Sequence, residues 1–570
     1  MFGYAGKILH VDLTQGTIAS VDLDLETAQR FIGGRGLGAK ILWDELAPGV
    51  DPLGPENCLV VATGPFAGTP VPTGSRFVVM AKSPLTNLLG DAEVGGYFGH
   101  HFKRAGYDAL VIKGQAPRPA YLMISPQGVE IRDASSLWGL PTAEADRMIR
   151  EAEGRDAHVL AIGPAGERQV RYANVMSEGR YAAGRCGLGA VMGAKRLKAI
   201  AVAGSIPIAV ARPEQLDTLR RQLIKDLEGN TSAQILGRYG TWNTTAPVHR
   251  NGILPTRNFQ TGVFPGTPKI DGDAMLEVLL DRRETCYACP IRCRRAIKPA
   301  GGHHELTLYG GPQYEAVAAL GSLVAVDDPV AIAVANQLCN AFGMDVISTG
   351  VCIAFAIECV ERGVLSASDV GFPLRWGDSE AVLQLVRMIG ERQGLGNLLA
   401  EGVKRAAEQI GRGSGQWAMH VKGMEMAMHD PRGKVGVGLS MATCHKGPDH
   451  MECLHDEAFE RENAYPGLGL VEPMPRTGTA GKPRFVKLGQ DYWGVLGDSL
   501  CLCKFPMGPG RPLHPELLTQ IFRSVTGWDV SLADLLLAGE RVFNVCRLFN
   551  VREGARRADD TLPQRLAEPC

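Results

Sequence analysis

The sequence has no excess of positive charge and no segment typical of an exported or membrane-spanning protein. Its 60 lysines and arginines are balanced by 61 aspartates and glutamates, and the net charge of −1 argues against a nucleic-acid partner. The first residues contain neither an apolar core nor a twin-arginine pair, so we expect a cytoplasmic protein. The longest apolar stretch, residues 346–360, has polar interruptions and is shorter than the ~20 residues of a membrane span, which predicts a buried helix.

Two nucleotide-binding motifs are also missing, although the chain contains 70 glycines. No P-loop occurs, and none of the glycine-dense segments fits G-x-G-x-x-G, which argues against a dinucleotide site. Glycine lets backbone amides approach an anion closely, and Arg35, Arg76 and Arg185 lie in or near these segments. We interpret the segments as loops that hold an anionic cofactor, with plain turns as the alternative. The glycine-dense segments are residues 33–38, 63–69, 95–99 and 183–189.

The residue pattern changes from strand-like to helix-like near residue 205. Before that point, alternation of apolar and polar residues predicts a hairpin at 6–23 and strands at 58–63, 76–81, 109–113, 120–124 and 129–131. Helical periodicity follows at 215–227, 274–280, 329–342, 347–362, 379–393 and 396–410. We therefore predict an α+β protein with a β-rich domain at 1–205 and two mainly α-helical domains at 206–410 and 411–570, the last beginning with a glycine-rich linker.

Three cysteines in one short segment form the most specific motif. Cys286, Cys289 and Cys293 have the spacing C-x2-C-x3-C, and five arginines between 282 and 295 are expected to lower the thiol pKa values towards the ligating thiolate. Zinc sites made of cysteines usually consist of two C-x2-4-C pairs, and no second pair with that spacing occurs. A [4Fe-4S] cluster whose fourth ligand is Cys501 or Cys503 fits better. Zinc and an S-adenosylmethionine radical cluster, which has the reversed spacing, are the alternatives.

A series of ordered motifs along nearly the whole chain resembles the aldehyde:ferredoxin oxidoreductase family of tungsten enzymes. The resemblance implies a first domain that forms a β saddle for tungsten, or molybdenum, held by two pyranopterins. Two helical domains would close over it, and a [4Fe-4S] cluster would lie near one pterin. Besides the cysteine segment, the motifs are GGRGLG at 33–38, TGSR at 73–76, KSPLT at 82–86, AGYD at 105–108, GLGAVMG at 187–193, KAI at 198–200, LPTRNF at 254–259, GGPQYE at 310–315, DPRG at 430–433, DSLCLC at 498–503 and FNVREG at 549–554.

The resemblance also assigns ligands and contacts residue by residue. It implies that the cluster is held by Cys286, Cys289, Cys293 and Cys503, with Cys501 unligated. Backbone carbonyls near Glu93 and Ala183 would hold a Mg²⁺ ion that bridges the pterin phosphates. The positions implied to contact the pterins are Arg76, Glu93, Gly95, Ala182, Ala183, Gly184, Arg185, Asn340, Met344, Asp345, Lys446, Asp498, Leu502 and Lys504.

The implied catalytic pair is Glu315, a carboxylate, and His450, an imidazole that can donate a hydrogen bond to a substrate oxygen. Without the family pattern, Glu315 reads as a helix cap and His450 as a structural histidine. Three other histidines compete with His450, and the family's spacing from the DPRG motif ranks them below it. They are His429, His445 and His455.

The implied function is oxidation of a small aldehyde to a carboxylic acid in a homo- or hetero-oligomer. Electrons would pass through the cluster to ferredoxin or an iron–sulfur partner subunit. One alternative is a low-potential reductase of the benzoyl-coenzyme A type, which would carry a cysteine near Gln313, and another is an electron-transfer subunit without pterin. The chain departs from the family pattern at Gln313, Lys446, Glu452 and Asn340, where a glutamate, an arginine, a basic residue and an aspartate are usual.

Overall fold

The computed structural model describes residues 1–299 and 307–568, and its N-terminal part is rich in strands. Every strand that the sequence predicts in this part is present, which confirms the β-rich first domain of an α+β fold. The strands are β1 (Lys7–Asp12), β2 (Thr17–Asp22), β3 (Leu59–Ala62), β4 (Phe77–Lys82), β5 (Leu89–Val94), β6 (Ala109–Lys113), β7 (Ala120–Ser125), β8 (Gly128–Asp133), β9 (His158–Ala161), β10 (Val175–Ser177), β11 (Tyr181–Ala183) and β12 (Leu197–Val202).

These strands form two six-stranded mixed sheets. The first has the order β2-β1-β6-β3-β4-β5 and the second has the order β11-β10-β9-β12-β7-β8. In the first sheet, β1 and β2 pair antiparallel with Lys7 opposite Asp22, which confirms the predicted hairpin. The parallel pairs are β1 with β6 and β12 with β7. Each sheet therefore contains one parallel pair of strands, and its other neighbouring strands are antiparallel.

Helices dominate the chain after residue 202, which confirms the predicted helical second part. Two short hairpins interrupt them, β13 (Leu280–Glu284) with β14 (Arg294–Ile297) and β15 (His420–Val421) with β16 (Met424–Glu425). The earlier helices are α1 (Leu25–Phe31), α2 (Gly34–Glu45), α3 (Phe98–Arg104), α4 (Thr142–Glu153), α5 (Pro164–Glu167) and α6 (Leu188–Ala194). The later ones are α7 (Pro213–Gly229), α8 (Thr231–Tyr239), α9 (Thr245–Arg250), α10 (Thr267–Ile270), α11 (Gly272–Leu279), α12 (Tyr314–Leu320), α13 (Pro329–Phe342), α14 (Val346–Glu361), α15 (Ala367–Val370), α16 (Ser379–Glu391), α17 (Leu395–Leu399), α18 (Val403–Ile410), α19 (Val435–Thr443), α20 (Lys482–Gly489), α21 (Gly497–Leu500), α22 (Pro515–Thr526) and α23 (Leu532–Arg552).

The two sheets meet where the edge strand β5 lies against the edge strand β11. One apolar core runs through both sheets and includes Leu59 and Val79 from the first sheet and Leu122 and Ile200 from the second. The opposite face of the first sheet packs against α2 and the C-terminal helix α23. Because both sheets are fixed by buried apolar side chains, the ends of β5 and β11 are held at one rigid junction.

The glycine-dense segment 33–38 is a helix, so its interpretation as a loop is wrong. Helix α2 begins at Gly34 and packs against α21 so closely that a Cβ atom on Gly34 would overlap the carbonyl oxygen of Asp498. The glycines therefore permit close packing of two backbone segments. Arg35, in the first turn, is fully buried and forms ion pairs with carboxylates of this chain.

The predicted helix at 396–410 is also interrupted. It forms α17 and α18, and the N–H of Val403 at the start of α18 donates to the buried Glu425 carboxylate at 2.8 Å, which replaces a helix-continuing bond. The domain limits at 205 and 410 stay predictions.

Helix α14, which contains the longest apolar stretch, is buried almost throughout, as the sequence predicts. Within the described residues, no single helix is long and apolar enough to cross a bilayer. A pair of segments, Tyr314–Val324 and Pro329–Phe342, meets the length and composition requirement together, but it is bent by 116° at the break between them. Most side chains of this pair are buried in the protein.

Candidate functional site

The three-cysteine segment is the loop of the hairpin formed by β13 and β14. Glu284 lies opposite Arg294 in this hairpin, so residues 285–293 form a closed loop at its end. Cys286, Cys289 and Cys293 all face one cavity of about 710 Å³ between the sheets and the helices. None of the three forms a disulfide. The closed hairpin therefore presents three thiols to the same space.

Cys503 lines the same cavity, although it lies more than 200 residues further along the chain. Its backbone N–H donates to the carbonyl oxygen of Thr73 at 3.0 Å, which joins the segment after α21 to the loop between β3 and β4. Cys501 points elsewhere, and its sulfur lies 3.8 Å from the Ala62 carbonyl oxygen in the buried interface with α2. The structure thus brings Cys503, and not Cys501, to the other three thiols.

Four thiols facing one cavity match the donor set of a [4Fe-4S] cluster. The cavity wall beside them has no room for a larger side chain, because a Cβ atom on Gly95 would lie 2.9 Å from the sulfur of Cys286. Gly95 directly follows β5, at the junction of the two sheets. The residues present therefore fit the cluster in their chemistry, and Gly95 leaves the Cys286 thiol free of a neighbouring side chain.

The expected lowering of the thiol pKa values by nearby arginines is wrong for this arrangement. Burial raises the pKa of Cys289 to about 12, and burial likewise raises the pKa values of Cys293 and Cys503. The arginine charges are used elsewhere, since Arg282 pairs with carboxylates and Arg295 donates to backbone carbonyls. Without metal, thiolates at this site would be poorly stabilised, and the positive charge of iron would supply what the arginines do not.

Arg76 and Glu93 form the wall next to the cysteines. The Arg76 guanidinium donates to the Glu93 carboxylate at 2.6 Å. Burial raises the pKa of Glu93 to about 8, although Arg76 opposes the shift. Within the described residues, the buried atoms Glu93 Oε1 and Thr73 Oγ1 have no hydrogen-bond partner. Buried polar atoms normally have partners, so these two fit a polar cofactor seated against the wall.

Only some of the other positions predicted to contact the pterins line this cavity. Gly95, Ala182 and Lys504 line it directly. Arg185 and Asp345 form an ion pair of 3.3 Å that ties the end of β11 to the N-terminus of α14. The remaining positions are outside the cavity lining, and their roles stay predictions. These are Ala183, Gly184, Asn340, Met344, Lys446, Asp498 and Leu502.

Glu315 and His450, the predicted catalytic pair, face each other in the same cavity. Glu315 lies in the first turn of α12, and its Oε2 accepts a hydrogen bond from the Met428 N–H at 2.9 Å. Its Oε1 lies 3.4 Å from His450 Nδ1. Burial raises the pKa of Glu315, and the attraction of His450 opposes this shift. A carboxyl group with a raised pKa beside an imidazole is an arrangement suited to proton transfer.

Four further groups line the cavity beside this pair: His429 and His455, which the sequence analysis ranked below His450, and Lys434 and Glu457, which it missed. His429 Nε2 lies 3.5 Å from Glu315 Oε1, nearly as close as His450 Nδ1 at 3.4 Å. Lys434 is buried, and its Nζ lies 3.2 Å from His429 Nδ1 and 2.7 Å from Glu457 Oε1. Lys434 directly follows the DPRG motif, a signal that could have identified it. His445 does not compete, because it binds Asp91 away from the cavity.

A buried ionic network lies behind the cavity and joins both ends of the chain. Arg35 is within 2.7 Å of carboxylate oxygens of Asp91, Glu452 and Asp498. Lys446 contacts the same Glu452 at 2.8 Å. Lys446 and Glu452, two residues that depart from the family pattern, therefore pair with each other. Arg35 balances the charge of Glu452 as well. The sequence did not reveal this because Arg35 was interpreted as a phosphate ligand.

Known proteins similar to this chain cover its whole length. The tungsten-containing aldehyde ferredoxin oxidoreductase of Pyrococcus furiosus is 40% identical, with 100% of this chain and 92% of that protein covered. The protein of the same description from Pyrococcus abyssi is 41% identical over the same shares of the two chains. The aliphatic sulfonate oxidoreductase, WOR-like subunit, of Pyrococcus furiosus is 31% identical and covers 100% of this chain and 90% of its own.

A solved structure and two family models agree with these relatives. The active-site complex BamBC of benzoyl coenzyme A reductase superposes with a TM-score of 0.86 at 27% identity, covering 99% of this chain and 91% of that chain. Residues 8–204 match the N-terminal domain of aldehyde ferredoxin oxidoreductase, and residues 218–570 match its domains 2 and 3. With two models that together cover most of the sequence, and with the site residues in one cavity, the chain belongs to the aldehyde ferredoxin oxidoreductase family of enzymes.

Proposed function

We propose that this protein is a tungsten- or molybdenum-pterin oxidoreductase that oxidises small aldehydes to carboxylic acids. Its electrons pass through a [4Fe-4S] cluster to ferredoxin or an iron–sulfur partner subunit. The observation that supports this most directly is one cavity lined by four thiols and by the Glu315–His450 pair. The relatives described as tungsten-containing aldehyde ferredoxin oxidoreductases support the same substrate class.

In this function, the cluster would be held by Cys286, Cys289, Cys293 and Cys503. The pterins would contact the walls that carry Arg76 and the ends of β5 and β11, with Mg²⁺ held by backbone carbonyls near 93 and 183. When bound, the metal–pterin centre supplies the two-electron redox chemistry, while the protein positions the reactants around it.

Proton handling falls to the residues of this chain. Glu315 Oε1 faces the cavity while Oε2 is held by the Met428 amide, so the free oxygen is oriented to take a proton from a water that attacks the aldehyde. His450 is placed to donate to the substrate oxygen as negative charge develops on it. The overall reaction is RCHO + H₂O → RCOO⁻ + 3 H⁺ + 2 e⁻.

A reductase of the benzoyl-coenzyme A type is the second candidate, favoured by the structural similarity to BamBC. That alternative carried the expectation of a cysteine near position 313. Here Gln313 accepts a hydrogen bond from Thr241 at 3.1 Å, and among the described residues the cavity-lining cysteines are the four proposed cluster ligands. The absence of a further thiol at this position supports aldehyde chemistry.

The test uses anaerobically purified, tungsten-loaded protein and a viologen dye as electron acceptor. We expect aldehyde-dependent dye reduction in the wild type and no reaction with aryl-coenzyme A thioesters. Glu315→Gln should lower kcat by roughly 10²–10⁴-fold, the usual contribution of a general acid or base, without loss of tungsten or iron. Glu408→Gln, on the surface of α18, is the control and should match the wild type. Full turnover by Glu315→Gln would refute the assigned base, and iron without tungsten or molybdenum would favour the electron-transfer subunit.

A further inference from the structure

We propose that His100 is a positioning residue for the iron–sulfur cluster: its ring supports Tyr287, fixes the turn that carries Cys286 and Cys289, and keeps water away from their thiols. The ring thereby holds the reduction potential of the cluster low. This inference rests on one part of the proposed function, the [4Fe-4S] cluster on the four thiols. Because electrons must pass from this cluster to a second iron–sulfur centre, its potential governs that step.

Tyr287 lies in the turn that connects two of the four thiols. The N–H of Cys289 donates to the carbonyl oxygen of Cys286 at 3.3 Å, so Tyr287 occupies the first central position of a β-turn. The N–H of Tyr287 donates to the carbonyl oxygen of Gly96 at 3.3 Å, and its own carbonyl oxygen accepts from Ser75 Oγ at 3.4 Å. A displacement of Tyr287 therefore moves both cysteines of the turn.

The side chain of Tyr287 stacks on His100 of helix α3. The two ring centroids are 3.6 Å apart, and the ring planes are inclined by 24°. Tyr97 meets Tyr287 edge-on at a centroid distance of 6.2 Å, and His101 packs edge-on against His100 at 5.1 Å. His100 is only 2% exposed. A buried ring on a helix therefore supports the exposed side of the cysteine loop.

Neighbouring groups fix the orientation and the charge of the His100 ring. Arg104, one turn later in α3, donates to Nε2 at 3.2 Å, so the proton of the neutral ring is on Nδ1. Burial lowers the pKa of His100 to about 3, and His101 and Arg104 lower it further, so the ring is neutral at pH 7. Arg104 also donates to the carbonyl oxygens of Ile206 and Ser205, which hold its guanidinium in place. Removal of the ring therefore changes packing near the cluster without changing charge.

A second pocket, of about 380 Å³, lies between this turn and helix α7. Cys286 and Cys289 line this pocket as well as the larger cavity, so the turn separates the two spaces. Tyr97 also lines the second pocket, and Ala288 of the turn is exposed to solvent. Without the ring of His100, a void beneath Tyr287 would let water approach the thiols. Reduction adds one negative charge to the cluster, and water stabilises the more highly charged state, so the potential would rise.

The test compares His100→Ala, which removes the ring, with His100→Phe, which retains a ring that can stack. The reduced fraction of the cluster is measured by electron paramagnetic resonance in the holoenzyme at fixed potentials, with iron content determined for each variant. At the potential where the wild-type cluster is half reduced, we expect a ratio of reduced to oxidised cluster of roughly 10:1 in His100→Ala, which corresponds to about 59 mV for one electron. His100→Phe should stay near the wild type.

The matched control is His10→Ala, on β1, which is separated from β5 by three strands of the first sheet. It should have the wild-type potential. Tyr287→Leu removes the other ring of the stacked pair and should raise the potential as His100→Ala does, whereas Tyr287→Phe should not. Tyr287→Leu therefore decides the question if His100→Ala loses its iron.

A second measurement tests the exclusion of water directly. Pulsed electron paramagnetic resonance of the reduced cluster in D₂O detects exchangeable deuterons near the iron, and we expect a stronger deuterium signal in His100→Ala than in the wild type, His100→Phe or His10→Ala. An unchanged potential in His100→Ala with full iron content overturns the proposal, as does an equal shift in His100→Phe. A raised potential and a stronger deuterium signal in a protein whose wild type oxidises no aldehyde support the role of His100 and count against the proposed function.

Discussion

A single glycine controls how closely the cysteine loop approaches the first sheet. A Cβ atom on Gly95 would lie 2.9 Å from the sulfur of Cys286, closer than carbon and sulfur can approach without displacement. Cys286 is one of the four thiols that share the cavity. The position of this sulfur therefore depends on the absence of a side chain at residue 95.

Gly95→Ala should displace the Cys286 thiol and reduce iron binding. We expect the variant to fold but to contain clearly less iron per chain than the wild type, measured by elemental analysis together with the visible absorbance of the cluster. Gly415→Ala is the control, because no atom lies within 4 Å of a Cβ at that position. Full iron content in Gly95→Ala would contradict the proposed ligand geometry.

At the scale of elements, α2 shows how a glycine-rich sequence can serve packing instead of ligand binding. Its first residue, Gly34, lies against α21, and a Cβ there would be 2.7 Å from the Cys501 sulfur and would overlap the Asp498 carbonyl oxygen. Cys503 lies three residues after Leu500, the last residue of α21. The contact between α2 and α21 therefore helps to place the fourth thiol of the cavity.

Gly34→Ala should separate these two helices. Because overpacking of a tight contact typically costs about 1–3 kcal/mol, we expect a lower midpoint of thermal unfolding, measured by calorimetry at fixed scan rate. Gly229→Ala, which has no atom within 4 Å of its Cβ, is the matched control and should not lower the midpoint. Equal midpoints for both variants would show that α2 can move without loss of stability.

On the scale of the whole molecule, the buried ionic network links residues far apart in sequence. Arg35 near the N-terminus is fully buried with Asp91 from β5 and with Glu452 and Asp498 from the C-terminal part. Burial alone would raise the pKa of Glu452, but Arg35, Lys446 and Lys504 outweigh it and lower the value to about 2. Burial would likewise raise the pKa of Asp91, but Arg35 and Lys446 outweigh it and hold the value well below its usual range.

Acid should therefore destabilise the protein through this network. A carboxylate with a lowered folded-state pKa contributes stability that is fully present above its unfolded pKa, near 4.5 for Glu452, and is lost as pH falls towards about 2. For Glu452 alone the contribution is on the order of 3 kcal/mol. We expect the thermal midpoint to fall steeply between pH 4.5 and the lowest accessible pH.

Glu452→Gln separates this effect from general acid denaturation. It should be less stable than the wild type at pH 7, because Arg35 loses a charged partner, and its midpoint should depend less on pH below 4.5. Glu26→Gln, whose pair with Arg30 is exposed, should follow the wild-type curve. Identical pH dependence in Glu452→Gln and the wild type would exclude Glu452 as an acid-sensitive group.

The sequence by itself determined the features that depend on local pattern. Alternating and helical periodicity predicted the strands and most helices, and the C-x2-C-x3-C spacing predicted three thiols on one loop, because neighbouring residues must share a short backbone segment. The family motifs predicted Glu315, His450 and Cys503. Glycine composition gave a wrong prediction at 33–38, where it suggested a loop, although tertiary packing stabilises a helix there.

Only the tertiary structure decided which distant groups share a site. It placed His429 3.5 Å from Glu315, beside His450, and Lys434 2.7 Å from Glu457. Burial then reversed the expected pKa shift of the cysteine thiols, because loss of water outweighs the nearby positive charges. Contacts between remote segments and the burial of their charges arise from packing of the whole chain, and no local spacing in the sequence encodes them.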